Sequence, residues 1–278
     1  MQEKVCTIVL NWNGWRDTSV CLSSLAKLDY KNQEVIVVDN GSTDDSVSRL
    51  RSEFPHVRLL ETGCNLGFGA GCNFGIRYAL AIGAPYVWLL NNDTRVEPQA
   101  LNSLVEKANS DRAIGAVGSA IYSMREPQSL QAWGGGRVNF WLGRSRHWLK
   151  PVRDDAVDFI TGASMLVSRE ALGSVGLLDE QFFMYWEDAD FCFRLRHAKW
   201  KLAVAGDSKI WHKGSASAGK ESISLDRYFN DSAARFFEKH AHFPTFTFWT
   251  GVTLRLSKRL LSGDWERARA VWVGASRF

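Results

Sequence analysis

No run of about 18 uncharged apolar residues occurs in the 278-residue chain, so no bilayer-spanning helix is expected. Nor does charge of one sign dominate: 34 Lys and Arg stand against 30 Asp and Glu, a formal net charge of +4. That balance is too even for wholesale nucleic-acid binding. The five cysteines (Cys6, Cys21, Cys64, Cys72 and Cys192) are scattered, odd in number and form no C-x-x-C. Neither a disulfide framework nor a zinc cluster is expected, and reduced thiols in a cytosolic protein are the plain reading. No signal-type segment precedes the apolar run that begins at Val5, and no internal repeat, low-complexity tract or linker interrupts the chain. What is present is an ordinary folded composition, 45% hydrophobic, 12% aromatic and 23% charged. It carries enough apolar surface to offset the entropy of ordering the backbone.

The first half alternates strand-like and helix-like segments. VCTIVLNWNG (Val5 to Gly14) reads as a buried strand ending in Asn and Gly. A helix is expected from about Asp17 to Leu28, with Val20, Leu22 and Leu25 at helical spacings. EVIVVDNGSTDDS (Glu34 to Ser46) reads as a strand, an acidic turn and a helix start. Its cap is expected at Ser42 or Thr43, with Asp44 and Asp45 in the first turn. VRLLETGCNLG gives a third strand and a turn, residues 67–80 a helix rich in small residues, and YVWLLNNDTRV (Tyr86 to Val96) a fourth strand closing on a polar corner. This alternation predicts an α/β fold with a doubly wound, mainly parallel sheet flanked by helices. Ligands bind such sheets beyond the carboxyl ends of the strands, where the polar corners fall. In the second half AIGAVGSAIY is a strand and WGGGRVNFWLGRSRHWL a loop or hairpin. Glu187 to Lys199 is a helix with Phe191 and Leu195 on one face, and KIWHKGSAS follows a last strand.

Four polar constellations fall at these strand ends and helix starts: Asp39, Asn91-Asn92-Asp93, Glu187-Asp188 and His212. Singly, each has a plain structural explanation: an Asx turn at Asp39, a loop or cap at 91–93, a dipole-favoured helix start at Glu187, a satisfied histidine at 212. Together, in this order, they resemble the family 2 glycosyltransferases of the GT-A fold, in particular the bacterial rhamnosyltransferase-like members. The resemblance runs from about Val5 to Ser217. It rests on IVLNWNG, VIVVDNGSTDDS, NLGFGAGCNFGI, VWLLNNDTRV, TGASMLVSREAL, FFMYWEDADFCFRLR and WHKGSAS. A GT-A domain is accordingly expected over 1–217, with a nucleotide-binding half of about 1–98 and an acceptor half of about 99–217, and a helical appendage over 218–278.

The resemblance implies an inverting glycosyltransferase that moves a sugar from a nucleotide diphosphate to a carbohydrate or lipid-linked acceptor in bacterial surface polysaccharide synthesis. The first expectation for the donor is dTDP-rhamnose, with UDP-linked sugars as alternatives. Asp39 matches the family's base-recognition aspartate, and a strand-end carboxylate can accept the imide N–H of thymine or uracil. Asn11 is expected near the base or ribose. The turn and helix start carrying Asn65, Gly69 and Asn73 match the nucleotide-side loop, where small residues let backbone approach a ligand. Asn91-Asn92-Asp93 occupies the place of the DxD motif, with Asn where the first Asp stands. Asp93 and His212 are the implied ligands of a divalent cation, Asn91 a possible third contact, and Asn92 lies on the donor side. Such a donor set suits Mg²⁺ or Mn²⁺. Asp188 matches the general base, opposite the departing diphosphate. On the acceptor side, Glu187 supports Asp188, Trp186 is placed to stack on the acceptor sugar or else in the core, and Gly162 allows close approach or makes a turn. Asp190 is expected to pair with Arg194 at i, i+4.

The basic surplus lies in the tail, since residues 213–278 hold eleven Lys and Arg against six Asp and Glu. From Pro244 to Leu261 a helical wheel sets Phe246, Trp249, Leu256 and Leu260 opposite Arg255, Lys258 and Arg259, with Phe248 off the pattern. Such a helix suits peripheral attachment to an anionic membrane surface on the inner face of the cell membrane. Packing on the catalytic domain, or a homodimer contact, is the alternative. A polymerising synthase is disfavoured, because there is no Q-x-x-R-W. A nucleotidyltransferase would need a Gly-rich phosphate loop after the first strand, where LNWNGWR offers Arg16 but little glycine. An inactive glycosyltransferase-like binding module draws support from Asn91 alone, while Asp93, Asp188 and His212 speak against it.

Overall fold

The structure is a computed structural model, and it describes residues 2–214 and 223–275. The boundary expected at 217/218 and the last three residues of WHKGSAS lie outside the described residues. The first half runs β1 (Val5–Asn11), α1 (Trp15–Leu25), β2 (Gln33–Asp39), α2 (Ser46–Glu53), β3 (Arg58–Glu61), α3 (Phe68–Ala81) and β4 (Tyr86–Asn91). There follow β5 (Thr94–Val96), α4 (Ala100–Asn109), β6 (Ile114–Ser123), β7 (Leu130–Trp133), β8 (Gly135–Asn139), β9 (Arg144–His147), β10 (Phe159–Ile160), β11 (Ser164–Ser168) and α5 (Arg169–Val175). The chain then passes through α6 (Glu187–His197) and β12 (Lys201–His212) to α7 (Ile223–His240), α8 (Pro244–Leu261) and α9 (Trp265–Ala275).

Strands β3, β2, β1 and β4 pair in parallel, as βαβ units require. Beyond them the sheet turns mostly antiparallel. β11 lies between β4 and β6, antiparallel to both, and β7, β8 and β10 continue outward. β12 runs parallel to β6 and antiparallel to β5. The sheet is therefore mixed, with its parallel part concentrated in the first half of the chain. The difference from a mainly parallel sheet has a local cause: short segments such as 124–129 and 140–143 are hairpin-length, and parallel strands need a crossover.

The strands are apolar throughout because both faces are covered. On β1, Cys6 and Ile8 join one core cluster while Val5 and Val9 join the other, and β4 divides Val87 and Leu89 from Tyr86, Trp88 and Leu90 in the same way. α3 approaches the sheet closely enough to require glycine. A Cβ on Gly75 would stand 2.7 Å from Cγ2 of Ile8, and one on Gly71 2.6 Å from Cδ1 of Leu10. Two expectations shift here. The fourth strand breaks at Asn91-Asn92-Asp93 into β4 and β5, and Ser42 does not cap α2, which begins at Ser46, because its hydroxyl is held by Asp39.

The C-terminal helices belong to the main core. Phe236, Phe237, Phe248, Val252 and Val271 are fully buried in the cluster that also holds Phe191 and Ile160. α8 has the bounds expected from sequence, but its two faces are split otherwise than the wheel's: Trp249 and Leu256 pack against the core while Phe246 and Leu260 point outward, and of the cations only Lys258 is exposed. Phe248, the residue off the pattern, faces inward. Arg255 turns inward too, donating to the Gly143 carbonyl at 3.3 Å with its guanidinium over Phe229, and burial pushes its pKa down to about 10. Arg259 pairs with Asp226, whereas Phe246 and Leu260 are exposed. No helix among the described residues is long and apolar enough to cross a membrane.

Candidate functional site

Register brings the polar strand ends together. Asn11 pairs with Asp39 across β1 and β2, and Leu10 pairs with Asn91 across β1 and β4, so three carboxyl ends lie side by side. On the far side of β4, the Asn91 N–H donates to the Ala163 carbonyl at 3.1 Å. The residue before Ala163 is Gly162, and its N–H donates to Oδ2 of Asp188 at 2.9 Å. One sheet edge thus links Asp39, Asn91 and Asp188.

Asp39 closes the turn that follows β2. Its Oδ2 accepts from Nδ2 of Asn11 (2.8 Å) and the Ser42 hydroxyl (2.7 Å), and its Oδ1 accepts from the Ser42 N–H (2.9 Å). A carboxylate has about four acceptor sites, so one remains on Oδ1. Asn11 is braced by Thr18, whose hydroxyl donates to Oδ1 at 2.7 Å and also accepts from Nδ2 of Asn92 at 2.9 Å. Asn65 shapes the next loop, its Oδ1 accepting from the Gly67 N–H and from Nδ2 of Asn40.

Two residues expected on the nucleotide side are committed elsewhere. Asn73 is fully buried, donates to the Leu178 carbonyl (2.8 Å) and to Glu180 (3.0 Å), and accepts the Leu178 N–H (3.1 Å). Gly69 faces Leu178, Asp179 and Glu187. Both fasten α3 to the segment that leads into α6, so they act on the frame around Glu187 and Asp188 rather than at the strand-end cleft.

The 91–93 corner meets the end of β12. Nε2 of His212 lies 3.1 Å from Oδ1 of Asp93 and 3.2 Å from Nδ2 of Asn91. Gln131 decides the tautomer. Its Nε2 donates to the His212 carbonyl at 3.2 Å, which orients the amide and leaves Oε1 to accept from Nδ1–H of the ring, also at 3.2 Å. With Nδ1–H engaged in this way, Nε2 is the ring nitrogen left to face the Asp93 carboxylate and the Asn91 amide, where a cation would find an imidazole and a carboxylate oxygen together. The residues therefore fit a divalent cation taken by Asp93 and His212, with the Asn91 amide beside it. Among the described residues no three His, Cys, Asp or Glu side chains gather as a metal cluster. A cation here would need ligands from a bound molecule or water as well.

Asp188 stands in the first turn of α6, where the dipole favours negative charge. Its Oδ1 accepts from the Ala189 N–H at 2.7 Å. Burial raises its pKa above the ordinary carboxylate range, and the N–H groups of Gly162 and Ala189 limit the rise. Glu187 is buried more completely, and its Oε2 has no hydrogen-bond partner among the described residues. Burial first, then the charge of Asp188, push the Glu187 carboxyl well above its usual range. Of the two, Asp188 ionises first and Glu187 keeps its proton. Asp190, the third acid of this turn, pairs with Arg194 at 2.9 Å as the i, i+4 spacing predicts.

Trp186 is not a platform for a sugar. Its ring is buried against Phe229, Phe236 and Phe237, with centroids 5.6, 4.7 and 5.1 Å away. It and Tyr185 hold left-handed backbone, φ +68° and +70°, in the turn that aims Asp188. Gly162 does not leave room for an acceptor either: a Cβ there would meet Cε1 of Phe68 at 3.0 Å, so the space serves the packing around Asp188.

Three residues of the site carry no local sequence signal: Thr18, Gln131 and His147. His147 ends β9, its ring 5.8 Å from that of Phe159. Desolvation lowers its pKa, the charge of Asp188 opposes that shift and His212 adds to it, so it lies within electrostatic reach of both. Only a hairpin that folds back over the sheet edge brings it there, and a helix or strand period does not reveal that.

Residues 6–176 match the family model described as Glycosyl transferase family 2. The chain is similar to the N-acetylglucosaminyl-diphospho-decaprenol L-rhamnosyltransferase of Mycobacterium tuberculosis, with 31% identity over 226 residues, covering 73% of this chain and 74% of that protein. It is similar at 23% identity to the dTDP-rhamnosyl transferase RfbF of Shigella flexneri, over 72% of this chain and 65% of that one. Among solved structures, the mannosyltransferase PcManGT of Pyrobaculum calidifontis, in complex with GDP-Man and Mn²⁺, superposes with a TM-score of 0.63. That pair shares 17% identity, over 99% of this chain and 80% of the other, a likeness of fold.

Proposed function

Because the chain belongs to glycosyl transferase family 2 and is a glycosyltransferase of GT-A fold, we propose that it moves L-rhamnose from dTDP-rhamnose to a lipid-linked sugar with inversion, in the synthesis of a bacterial surface polysaccharide. The observation that carries the reading is the chain of contacts along one sheet edge, from the Asp93–His212 pair through Asn91 and Ala163 to Gly162 and Asp188. It sets a carboxylate base on the same sheet edge as a cation-competent pair, which are the two groups a single displacement needs.

In this reading the free acceptor site on Asp39 takes the imide N–H of thymine, with Asn11 and Ser42 fixing its direction. Asp93 and His212 hold Mg²⁺ or Mn²⁺, which would neutralise the departing diphosphate. Asp188 takes the proton of the acceptor hydroxyl as its oxygen bonds to the anomeric carbon and the bond from that carbon to the diphosphate breaks. Its raised pKa makes it a better base than an exposed aspartate. Glu187, neutral and unpartnered at Oε2, offers a donor to the acceptor. The names of the two rhamnosyltransferase relatives support the donor and the lipid-linked acceptor, and a lipid-linked acceptor entails work at a membrane surface.

The test is stabilisation by dTDP, UDP, GDP or ADP with Mn²⁺, Mg²⁺ or EDTA, followed by transfer from dTDP-rhamnose. Metal-dependent stabilisation by dTDP is expected, since a ligand of the folded state raises Tm by mass action. Asp188→Asn should keep that stabilisation and lose transfer by about 10²- to 10⁴-fold. Transfer near the parent rate would remove Asp188 from the role.

A further inference from the structure

The inward turn of Arg255 and Phe248 leaves the outer side of α8 largely apolar, with Lys258 its one exposed cation among the described residues. Phe246, Thr253 and Leu260 lie there in the open, and Phe246 is 54% exposed. The tip of the β8–β9 hairpin is fastened to this helix. The Gly143 carbonyl takes the Arg255 guanidinium at 3.3 Å, and Gly143 lies so close to the backbone of Thr247 and Gly251 that no side chain fits between them. Trp141, in the same tip, is 71% exposed and meets Phe246 edge-on at 6.2 Å. An exposed Trp–Phe pair on a docked hairpin contributes nothing to the core.

The hairpin beside that pair is cationic. Arg137 and Arg146 stand directly opposite one another across β8 and β9, on one face, where like charges destabilise the pairing. Arg144 shares that face, because it opposes Asn139, two residues on from Arg137. Residues 139–153 and 243–262 contain no acid at all. Among the described residues, none of Arg137, Arg144 and Arg146 makes an ion pair with a carboxylate. The Arg137 guanidinium lies over the Trp148 ring at 5.1 Å, but no carboxylate offsets the repulsion. Like charges so retained, next to aromatic rings in water, have a matching ligand: a surface that is anionic at its headgroups and apolar just below them.

We propose that Trp141, Phe246 and the outer side of α8, together with the Arg137, Arg144 and Arg146 face of the hairpin, form a docking surface for an anionic phospholipid bilayer. His147, at the end of the same hairpin, lies within electrostatic reach of Asp188, so docking holds that side of the site toward the membrane. The surface differs from an inserted amphipathic helix: Arg255 and Arg259 of α8 are held by the protein, Lys258 alone of its cations is exposed, and the other cations come from the hairpin.

The test is co-sedimentation of the whole chain with vesicles of phosphatidylcholine alone or with phosphatidylglycerol added, at low and high salt, beside light scattering for oligomeric state. Binding to the phosphatidylglycerol vesicles that falls with salt is expected. Trp141→Ser with Phe246→Ser should abolish it, and each Arg→Gln at 137, 144 or 146 should weaken it about fivefold at low salt. All five positions lie outside the transfer machinery, so metal-dependent stabilisation by dTDP should be unchanged in every variant. That readout separates failure of the docking surface from failure of the transfer reading. Absence of vesicle binding, binding untouched by the variants, or a parent dimer that the Trp141 and Phe246 changes convert to monomer would overturn the proposal.

Discussion

At Glu187 a single side chain shows how burial is turned to use. Its carboxyl, pushed well above the ordinary range by burial and by Asp188, is protonated in the folded state at pH values where the unfolded chain has released the proton. A raised folded pKa stabilises fully below the unfolded value and loses that contribution as pH rises toward the folded value. Glu187→Gln removes the dependence. Its stability should match the parent's near pH 4.5 and exceed it increasingly as pH rises from there toward the folded value, by about 1.4 kcal/mol for each unit of the shift. A parallel pair of Tm–pH curves would contradict the assignment. At the neighbouring corner, Asn91 offers no charge to a cation. Asn91→Asp adds an anionic ligand beside Asp93, and Mn²⁺ affinity without nucleotide, measured by titration calorimetry, should tighten about tenfold.

At the scale of elements, most of what the sequence allows one to read is periodic or punctuated. β1, β2, β4 and α3 follow from β-branched runs and from glycines that only a close helix–sheet approach explains. The polar corners were legible because a strand ending in Asp or Asn is visible as such. What was not legible depends on contacts far apart in the chain. The wheel of α8 gives two faces but not which one turns inward, and that was settled by Gly143 and Phe229 from other elements. Trp186 likewise reads as aromatic, while its burial depends on α7. Phe248→Ala should therefore cost about 3–5 kcal/mol, measurable by urea unfolding, because Phe248 is fully enclosed in the main core. A loss below about 1 kcal/mol would mean that α8 is only laid upon the domain.

At the scale of the molecule, one buried carboxylate ties the acceptor helix to the C-terminal region. Asp190 on α6 takes hydrogen bonds from Arg194 (2.9 Å), from Lys239 (2.6 Å) and from His240 (2.9 Å), the last two on α7. Burial alone would raise its pKa, but the bonds from His240, Lys239 and Arg194 outweigh it and hold the carboxyl down at about 2. The depressed value stabilises the fold above the unfolded pKa, and that contribution is lost as pH falls from about 4 through about 2, roughly 2 kcal/mol in all. Asp190→Asn should flatten this part of the acid-unfolding curve and lower stability at pH 7. An unchanged acid limb would show that the bonds from Lys239 and His240 do not hold α6 to α7.

β11 lies between β4 and β6 and bonds to both, so the two halves of the protein are one fabric with no seam. Among the described residues no boundary between the two halves is left to bend, so the scattering radius should be the same without and with dTDP and Mn²⁺. On the proposed function, discrimination between donors and between acceptors rests with what is sewn onto the edges, the 62–67 loop on one side and the β8–β9 hairpin on the other. Those pieces can be exchanged without recutting the cloth, which makes the two ends of the reaction separately alterable: one loop graft for a new donor, one hairpin graft for a new acceptor.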